Sequence, residues 1–232
     1  MPAHLLREVE NLKKDILRLG TLAEQAVREA TRALENRDEE IAQRVIENDI
    51  KLDEMEVQVE ESCLKILALY QPVATDLRFI IAVLKINNDL ERVGDLAVNV
   101  AERAAFLATQ PPLGVSFNFQ AMAHRAQQML KNSLDALVGF SAELAHEVCA
   151  SDDEIDAMNR QVYLAVQEAI GAHPHRTESL IHMLSVSRHL ERIADHATNI
   201  AEDVIYMIDG TIVRHKAEDY KSPPADANLP LQ

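Results

Sequence analysis

The feature that most constrains this chain is a stretch it carries twice. Leu90-Glu91-Arg92-Val93-Gly94-Asp95-Leu96-Ala97-Val98-Asn99-Val100-Ala101-Glu102 returns as Leu190-Glu191-Arg192-Ile193-Ala194-Asp195-His196-Ala197-Thr198-Asn199-Ile200-Ala201-Glu202, offset by 100 residues and identical at 8 of 13 positions. Several other positions exchange like for like, as Val93 does for Ile193. Such a repeat means that one supersecondary unit is built twice, so the architecture must hold two similar halves. The stretch contains no Pro and its apolar positions follow a helix. At about 100° per residue, Glu91, Asp95, Asn99 and Glu102 fall within roughly 80° of one another on the helix wheel. Glu191, Asp195, Asn199 and Glu202 do the same. Each half therefore carries a stripe of oxygen-bearing side chains along one long helix.

Composition agrees with helices throughout. Hydrophobic residues make up 47% of the 232, yet aromatics are only 4%, Trp is absent, and there are just 6 Gly and 8 Pro. That suits long packed helices better than sheets and turns. Apolar periodicity predicts six of them, over about 3–35, 38–69, 75–109, 118–139, 141–171 and 177–210. Asn36 with Glu39 reads as a capping box for the second helix, and Thr75 or Asp76 as the cap of the third. Gln71-Pro72 ends the second helix because Pro cannot continue the hydrogen-bond ladder. Gly139 and Ser141 mark the junction to the fifth helix, Gly171 its C-terminal glycine, and Gly210 the stop of the sixth. Pro111-Pro112-Leu113-Gly114 is the clearest linker and lies near the midpoint. The expected fold is all-α: two pseudo-symmetric antiparallel three-helix bundles over 1–112 and 113–216, then a disordered tail over 217–232 that carries Ser222-Pro223-Pro224.

The charge narrows the function classes. A net charge of −15 argues against binding nucleic acid through a basic face and favours cations or a basic protein partner. Cys63 and Cys149 have no metal-type spacing and suggest no disulfide framework. Arg7, Glu8, Glu10, Lys13 and Lys14 interrupt any apolar leader, and the longest apolar run, 79–84, is far short of the roughly 18 residues a spanning helix needs. The expectation is a soluble, cytoplasmic protein.

The second helix adds its own acidic stripe: Asp49, Asp53, Glu56 and Glu60, at steps of four, three and four. The fifth helix offers Asp152, Asp156, Asn159 and Tyr163 at the same steps, offset by 103. If these stripes face the repeated ones, four carboxylates converge in each half. Such a group repels itself and raises its own pKa values, and a multivalent cation relieves it. An all-oxygen donor set favours Mg, Ca, Mn or Fe over a structural zinc. Asn99 and Asn199 would add neutral oxygens or outer donors, and Glu56, Glu102 and Glu202 further carboxylates. Arg92 and Arg192 read as salt-bridging to a neighbouring helix, with holding the adjacent glutamate carboxylate in place as the alternative. His182, His189 and His196, seven apart, read as a partly exposed polar face pointing away from the site. Glu143 and His146 form a lone Glu-x-x-His, whereas a carboxylate di-iron bundle needs two. No nucleophile with an adjacent base, phosphate loop or dinucleotide fingerprint is present, so no catalytic residue is assigned. The alternative reading is a carboxylate-bridged metal enzyme, an oxidase or hydrolase on a helical bundle.

Together with Arg44-Val45-Ile46-Glu47-Asn48-Asp49 and Tyr70-Gln71-Pro72-Val73-Ala74-Thr75-Asp76-Leu77-Arg78, the two Leu-Glu-Arg repeats give the chain a resemblance to the PhoU proteins over about residues 5–215. The resemblance implies a metal site or cluster on each bundle (divalent or trivalent Fe, Mg, Mn or Zn), held by Asp49, Asp53, Glu91 and Asp95 in one half and Asp152, Asp156, Glu191 and Asp195 in the other. It implies a non-enzymatic negative regulator of phosphate uptake and of the phosphate-starvation response. Its implied partners are the ATPase of the phosphate ABC transporter and a membrane sensor histidine kinase, with the chain itself a homodimer. Asn159 and Tyr163 depart from the first half's Glu56 and Glu60.

Overall fold

The computed structural model describes residues 3–112 and 119–210. The expected tail from Ala217 and the linker residues Leu113 and Gly114 lie outside them. Seven α-helices follow in order: α1 (Ala3–Asn36), α2 (Glu39–Tyr70), α3 (Ala74–Thr109), α4 (Phe119–Gly139), α5 (Ala142–Ala150), α6 (Asp152–Ala172) and α7 (Thr177–Asp209), with a 3₁₀ turn at Pro174–Arg176 before the last. No strand occurs among the described residues. The first bundle is α1–α3. In the second, α4 and α7 repeat α1 and α3, and α5 with α6 takes the place of α2.

Each helix forms because its apolar residues share a face that burial rewards. On α1, Leu5, Val9, Leu12, Ile16, Leu19, Ala23, Val27, Ala30 and Ala33 are all buried. Each fully buried Leu, Ile or Val contributes about 1.5–3 kcal/mol. The helix ends differ from several expectations. The cap of α2 is Asp38, not Asn36: its carboxylate accepts from the Ile41 amide at 3.0 Å, because α1 runs on through Asn36. Neither Thr75 nor Asp76 caps α3, which starts one residue earlier, after Val73 with no side-chain cap. Arg37, at φ 54°, donates to the Leu107 and Gln110 carbonyls and so satisfies the C-terminus of α3. Gly171 lies inside the last turn of α6 rather than beyond it, and His173 is the cap residue. Gly210, at φ 71°, ends α7 as expected.

The largest difference is a break in the fifth predicted helix. The chain interrupts it at Ser151, whose hydroxyl returns to the Glu147 carbonyl at 2.8 Å while its own carbonyl accepts from Glu154. Asp152, Asp153 and Glu154 then open α6, where their charge complements the helix dipole. Ser141 does cap α5, accepting from the Leu144 amide at 3.2 Å.

The halves meet along an antiparallel seam between α3 and α7. Arg78 lies beside Gly210, Lys85 pairs with Asp203 at 3.0 Å, Asp89 meets Asn199 at 3.3 Å, and Phe106 stacks on His182 at 3.9 Å between ring centroids. Each step forward on α3 is matched by an equal step back on α7. With a repeat offset of 100, that register sets the equivalent residues Gly94 and Ala194 level with each other, at the pseudo-twofold axis.

Candidate metal centres

In the first half, α2 and α3 approach closely at Gly94, where an added methyl would have to displace the end of the Leu52 side chain. A Cβ on Gly94 would stand 2.7 Å from Leu52 Cδ1 and 3.4 Å from Asp49 Oδ1. The close approach brings the α2 stripe against the α3 stripe. The Asp49 carboxyl is pushed up to about 6 by burial and then by the charges of Asp53 and Asp95. Glu91 is raised as well, first by burial, then by Asp95, with Glu56 and Asp53 adding to it against the opposing Arg92. Glu56 is raised by burial and by Glu60 and Asp53. Asp49, Asp53, Glu56, Glu91 and Asp95 therefore share one field. Glu91 Oε2 is buried without a hydrogen bond, although Arg92 Nε approaches it to 3.2 Å off the proper angle. A groove between α1 and α2, lined by Leu22, Ala26, Val45, Lys51 and Leu52, opens onto Asp49.

The second half repeats this on α6 and α7. Asp195 is pushed up to about 6 by the protein banked around it and then by Asp152, Glu191 and Asp156. Asp152 is raised by burial and Asp156, against a hydrogen bond from Thr198. Glu191 is raised by burial and Asp156, against Arg188 and a hydrogen bond from Asn159. All eight carboxylates assigned from sequence thus fall into two groups of four, each contributed by two helices.

The outer residues fare less well. Asn99 turns its amide onto the Asp95 carbonyl at 2.8 Å. Glu102, exposed, pairs with Arg103 at 3.4 Å, and Glu202 lies as far past Asp195 as Glu102 lies past Asp95. A wheel gives direction only: seven residues past Asp95 is about 10 Å along the axis. Asn199 turns its amide onto Asp89 across the seam at 3.3 Å. Arg92 pairs with Glu91 and Asp95 on its own helix, at 3.2 and 3.0 Å, rather than with a neighbouring helix, which agrees with the alternative that it holds the carboxylates in place.

The three histidines of α7 are partly exposed, as expected, and also face α3. His182 stacks on Phe106, His189 has a buried Nδ1 with no partner, and His196 Nδ1 lies 2.8 Å from Asp89 Oδ1. His189 is held down to about 4 by burial and by Arg103, Arg192 and Arg188. Sequence reading missed Asp89, a buried acid two residues before Glu91. It also missed the donors Asn87, Thr198 and Ser187. The available signal was that Thr198 and Asn87 replace or are replaced by unlike residues (Val98, Ser187) within a well-kept repeat.

The donor set is all oxygen, partly exposed and mutually repulsive, a chemistry that suits a hard multivalent cation. Among the described residues no three His, Cys, Asp or Glu side chains stand close enough to enclose an ion. Glu143 and His146 sit exposed on α5, off the helices that carry both groups. No helix of the described residues is long and apolar enough to cross a membrane.

Comparison with known proteins follows the same division. The PhoU domain family model matches twice, at residues 16–104 and 119–204. The phosphate-specific transport system accessory protein PhoU homolog of Aquifex aeolicus is 38% identical over 212 residues, 91% of this chain and 96% of that protein. The corresponding homolog of Pseudomonas aeruginosa is 38% identical over 213 residues, 90% of this chain and 86% of that protein. The crystal structure of PhoU from Pseudomonas aeruginosa superposes with a TM-score of 0.86 at 36% identity, covering 88% of this chain and 99% of that one. That of the phosphate transport system regulatory protein PhoU from Streptococcus pneumoniae gives 0.81 at 28% identity, covering 90% and 99%.

Proposed function

The chain belongs to the PhoU family, and from that premise we propose that it is a cytoplasmic negative regulator of phosphate uptake and of the phosphate-starvation response. It works without catalysis, as a metal-binding adaptor between the ATPase of the phosphate ABC transporter and a sensor histidine kinase. The reading is supported by relatives named as accessory proteins of phosphate-specific transport. One observation supports the metal part of it: two carboxylate groups, each drawn from two helices, with Asp49 and Asp195 raised in pKa by burial and then by the other members.

Asp49, Asp53, Glu91 and Asp95 would hold the cation of the first half, and Asp152, Asp156, Glu191 and Asp195 that of the second. A bound cation supplies neutralisation of charge, and with it a clamp between the paired helices. The residues of the chain contribute the rest. Gly94 lets α2 come near, Asn87 orients Glu56 through bonds of 3.0 and 3.2 Å, and Arg92 restrains Glu91 and Asp95. The long exposed helices offer docking surface, and the acidic charge suits a basic partner face.

The test is a pull-down of the transporter ATPase and of the kinase's cytoplasmic portion by the purified full chain, with metal present and with chelator. Retention of both partners, weakened by chelation, is the expected result. Failure to retain either partner in either condition would remove the adaptor.

A further inference from the structure

The outer face of α2 is apolar where its counterpart in the second half is polar. Ile50, Val57 and Leu64 stand seven apart and so form one ridge along the helix. They are 61%, 50% and 54% exposed. Half-buried Ile46 and exposed Ala68 continue the ridge by a turn at either end. The offset of 103 that maps α2 onto α6 turns Ile50, Val57 and Leu64 into Asp153, Arg160 and Gln167, all exposed as well. The fold therefore accepts polar residues at these places and does not need apolar ones for its own packing. Exposed hydrophobics scattered singly are ordinary, but three in register on one helix, left open by the described residues, make a contact surface.

Acidic side chains edge the ridge on both sides. Glu47, Glu54 and Glu61 stand three residues before the three apolar positions, and Asp53 and Glu60 three residues after the first two. All five are exposed. Among the described residues none of the five is ion-paired, since the nearby Lys51 and Lys65 turn to Asn48 and to Glu8, at 2.6 and 3.1 Å. These charges select the occupant. A second copy laid antiparallel on the ridge would set Ile50 against Leu64 and Val57 against itself, but also Glu54 against Glu61 and Asp53 against Glu60, carboxylate on carboxylate. A parallel copy would set the Glu54 row against the Asp53 row. The same charges repel an anionic lipid surface or a nucleic acid. A helix whose apolar stripe is edged by Lys or Arg meets both the ridge and its charges. We propose that the α2 ridge docks a basic amphipathic helix of a protein partner, with Ile50, Val57 and Leu64 as apolar anchors and Glu54 and Glu61 fixing its register. From Ile50 to Leu64 the ridge runs 14 residues, about 21 Å, so the docked helix spans about four turns. This docking presupposes a protein partner, as the adaptor reading above does, and needs no metal: Glu54 and Glu61 lie outside the carboxylates assigned to cations.

The test titrates the purified full chain, in chelator, into a fluorescein-labelled peptide of about 21 residues, three heptads with Leu along one face, Lys beside it and Ala elsewhere, and reads anisotropy. The unaltered chain is expected to bind this peptide at least roughly tenfold more tightly than one of the same composition with its Leu scattered around the helix. Ile50→Gln, Val57→Gln and Leu64→Gln together, all at exposed positions, are expected to weaken binding at least roughly tenfold. Glu54→Lys with Glu61→Lys is expected to weaken it by a similar factor at about 0.05 M salt and by less at about 0.5 M, where exposed charges are screened. That charge-reversed chain is expected to prefer a peptide with Glu in place of Lys, a gain that misfolding does not produce. Undiminished binding by the triple variant, or no change of preference after charge reversal, would overturn the proposal. So would a dimer, or attachment to phosphatidylglycerol vesicles, that the unaltered chain shows and the triple variant loses, since either would put a different occupant on the ridge. Neither the transporter ATPase nor the kinase enters this test, so a failed pull-down leaves its outcome untouched, and its own failure leaves the adaptor standing.

Discussion

Asp49→Asn is expected to stabilise the metal-free protein at neutral pH while weakening its hold on metal. The Asp49 carboxyl is raised from 3.8 to about 6 by burial and by the charges of Asp53 and Asp95. A carboxyl that holds its proton more tightly folded than unfolded adds stability below the unfolded pKa. That contribution is lost as pH rises through about 6. A rise of about two units is worth about 3 kcal/mol at 1.36 kcal/mol per unit. Asp49 is half-buried and reaches solvent through its groove, so screening lowers the figure to about 1–2 kcal/mol. Asn keeps the shape and discards the charge. The variant should therefore gain about 1–2 kcal/mol at pH 7.5 in chelator, a Tm rise of about 2–8 °C for a chain of this size. The gain should shrink toward pH 5, because the unaltered chain recovers its own proton there. Added Mn²⁺ should reverse the order, since the unaltered chain gains RT ln(1 + [L]/Kd) from the tighter site. Urea unfolding from pH 5 to 8, with chelator and with Mn²⁺, measures all of this. A variant no more stable than the unaltered chain at pH 7.5 in chelator would refute the account of Asp49 as a member of a mutually repelling group.

Three further outcomes follow from particular contacts. Gly94→Ala gains about 1 kcal/mol of helix propensity but drives a methyl into Leu52, at about 1–3 kcal/mol of overpacking. The net loss should be about 0–2 kcal/mol by thermal unfolding, with Mn²⁺ affinity lowered in the first half only. Asp89→Ala strips the acceptor shared by His196 and Asn199 within the seam and should cost about 1–3 kcal/mol in urea, with faster proteolytic cleavage between the halves. Gln71→Gly relieves a non-glycine residue held at φ 45° beyond α2, and should raise stability by about 0.5–1 kcal/mol in the same assay.

What the sequence revealed depended on period, and what it hid depended on neighbours. The repeat at 91–95 and 191–195 announced two halves, and the steps of four at Asp49 and Asp53 announced the facing stripes. The first is self-similarity along the chain, and the second follows from the 3.6-residue turn, a property of one helix by itself. The seam contacts of Asn199 and of the α7 histidines were not legible, because a direction on a wheel says nothing about which helix lies there. The helix opposite proved to be α3, and a partly exposed polar stripe also lines the seam between the halves. The break at Ser151 is legible only in part. A serine before Asp152, Asp153 and Glu154 is an ordinary start of a helix, but apolar periodicity on either side argues for continuity, and local hydrogen bonds to Glu147 and Glu154 decide the matter. The cap at Asp38 was missed by two residues, an error of boundary rather than of element.

The seam also explains why the halves were free to diverge. The pseudo-twofold axis maps the Asp89–His196 contact onto His189 and Leu96. The first is a pair at 2.8 Å, whereas the His189 Nδ1 is buried with no partner. It likewise maps the Lys85–Asp203 bridge onto Ser185 and Arg103. In a dimer of identical three-helix units every residue that suits one side of the axis must also suit the other, so Asp89 would face His196 twice or not at all. Joining two copies in one chain lifts that demand. Each polar contact then needs to be made only once, and the matching position can turn apolar or stay unsatisfied. The same freedom applies to Glu56 and Asn159, which stand in equivalent places and treat their carboxylate neighbours in opposite ways. Restoring symmetry with Leu96→His and His189→Asp together would make the seam contact twice. If fusion is what permits the divergence, that doubly paired seam should be at least as stable in urea as the present one, and a collapse of the fold would show that the two sides differ in shape as well as in chemistry.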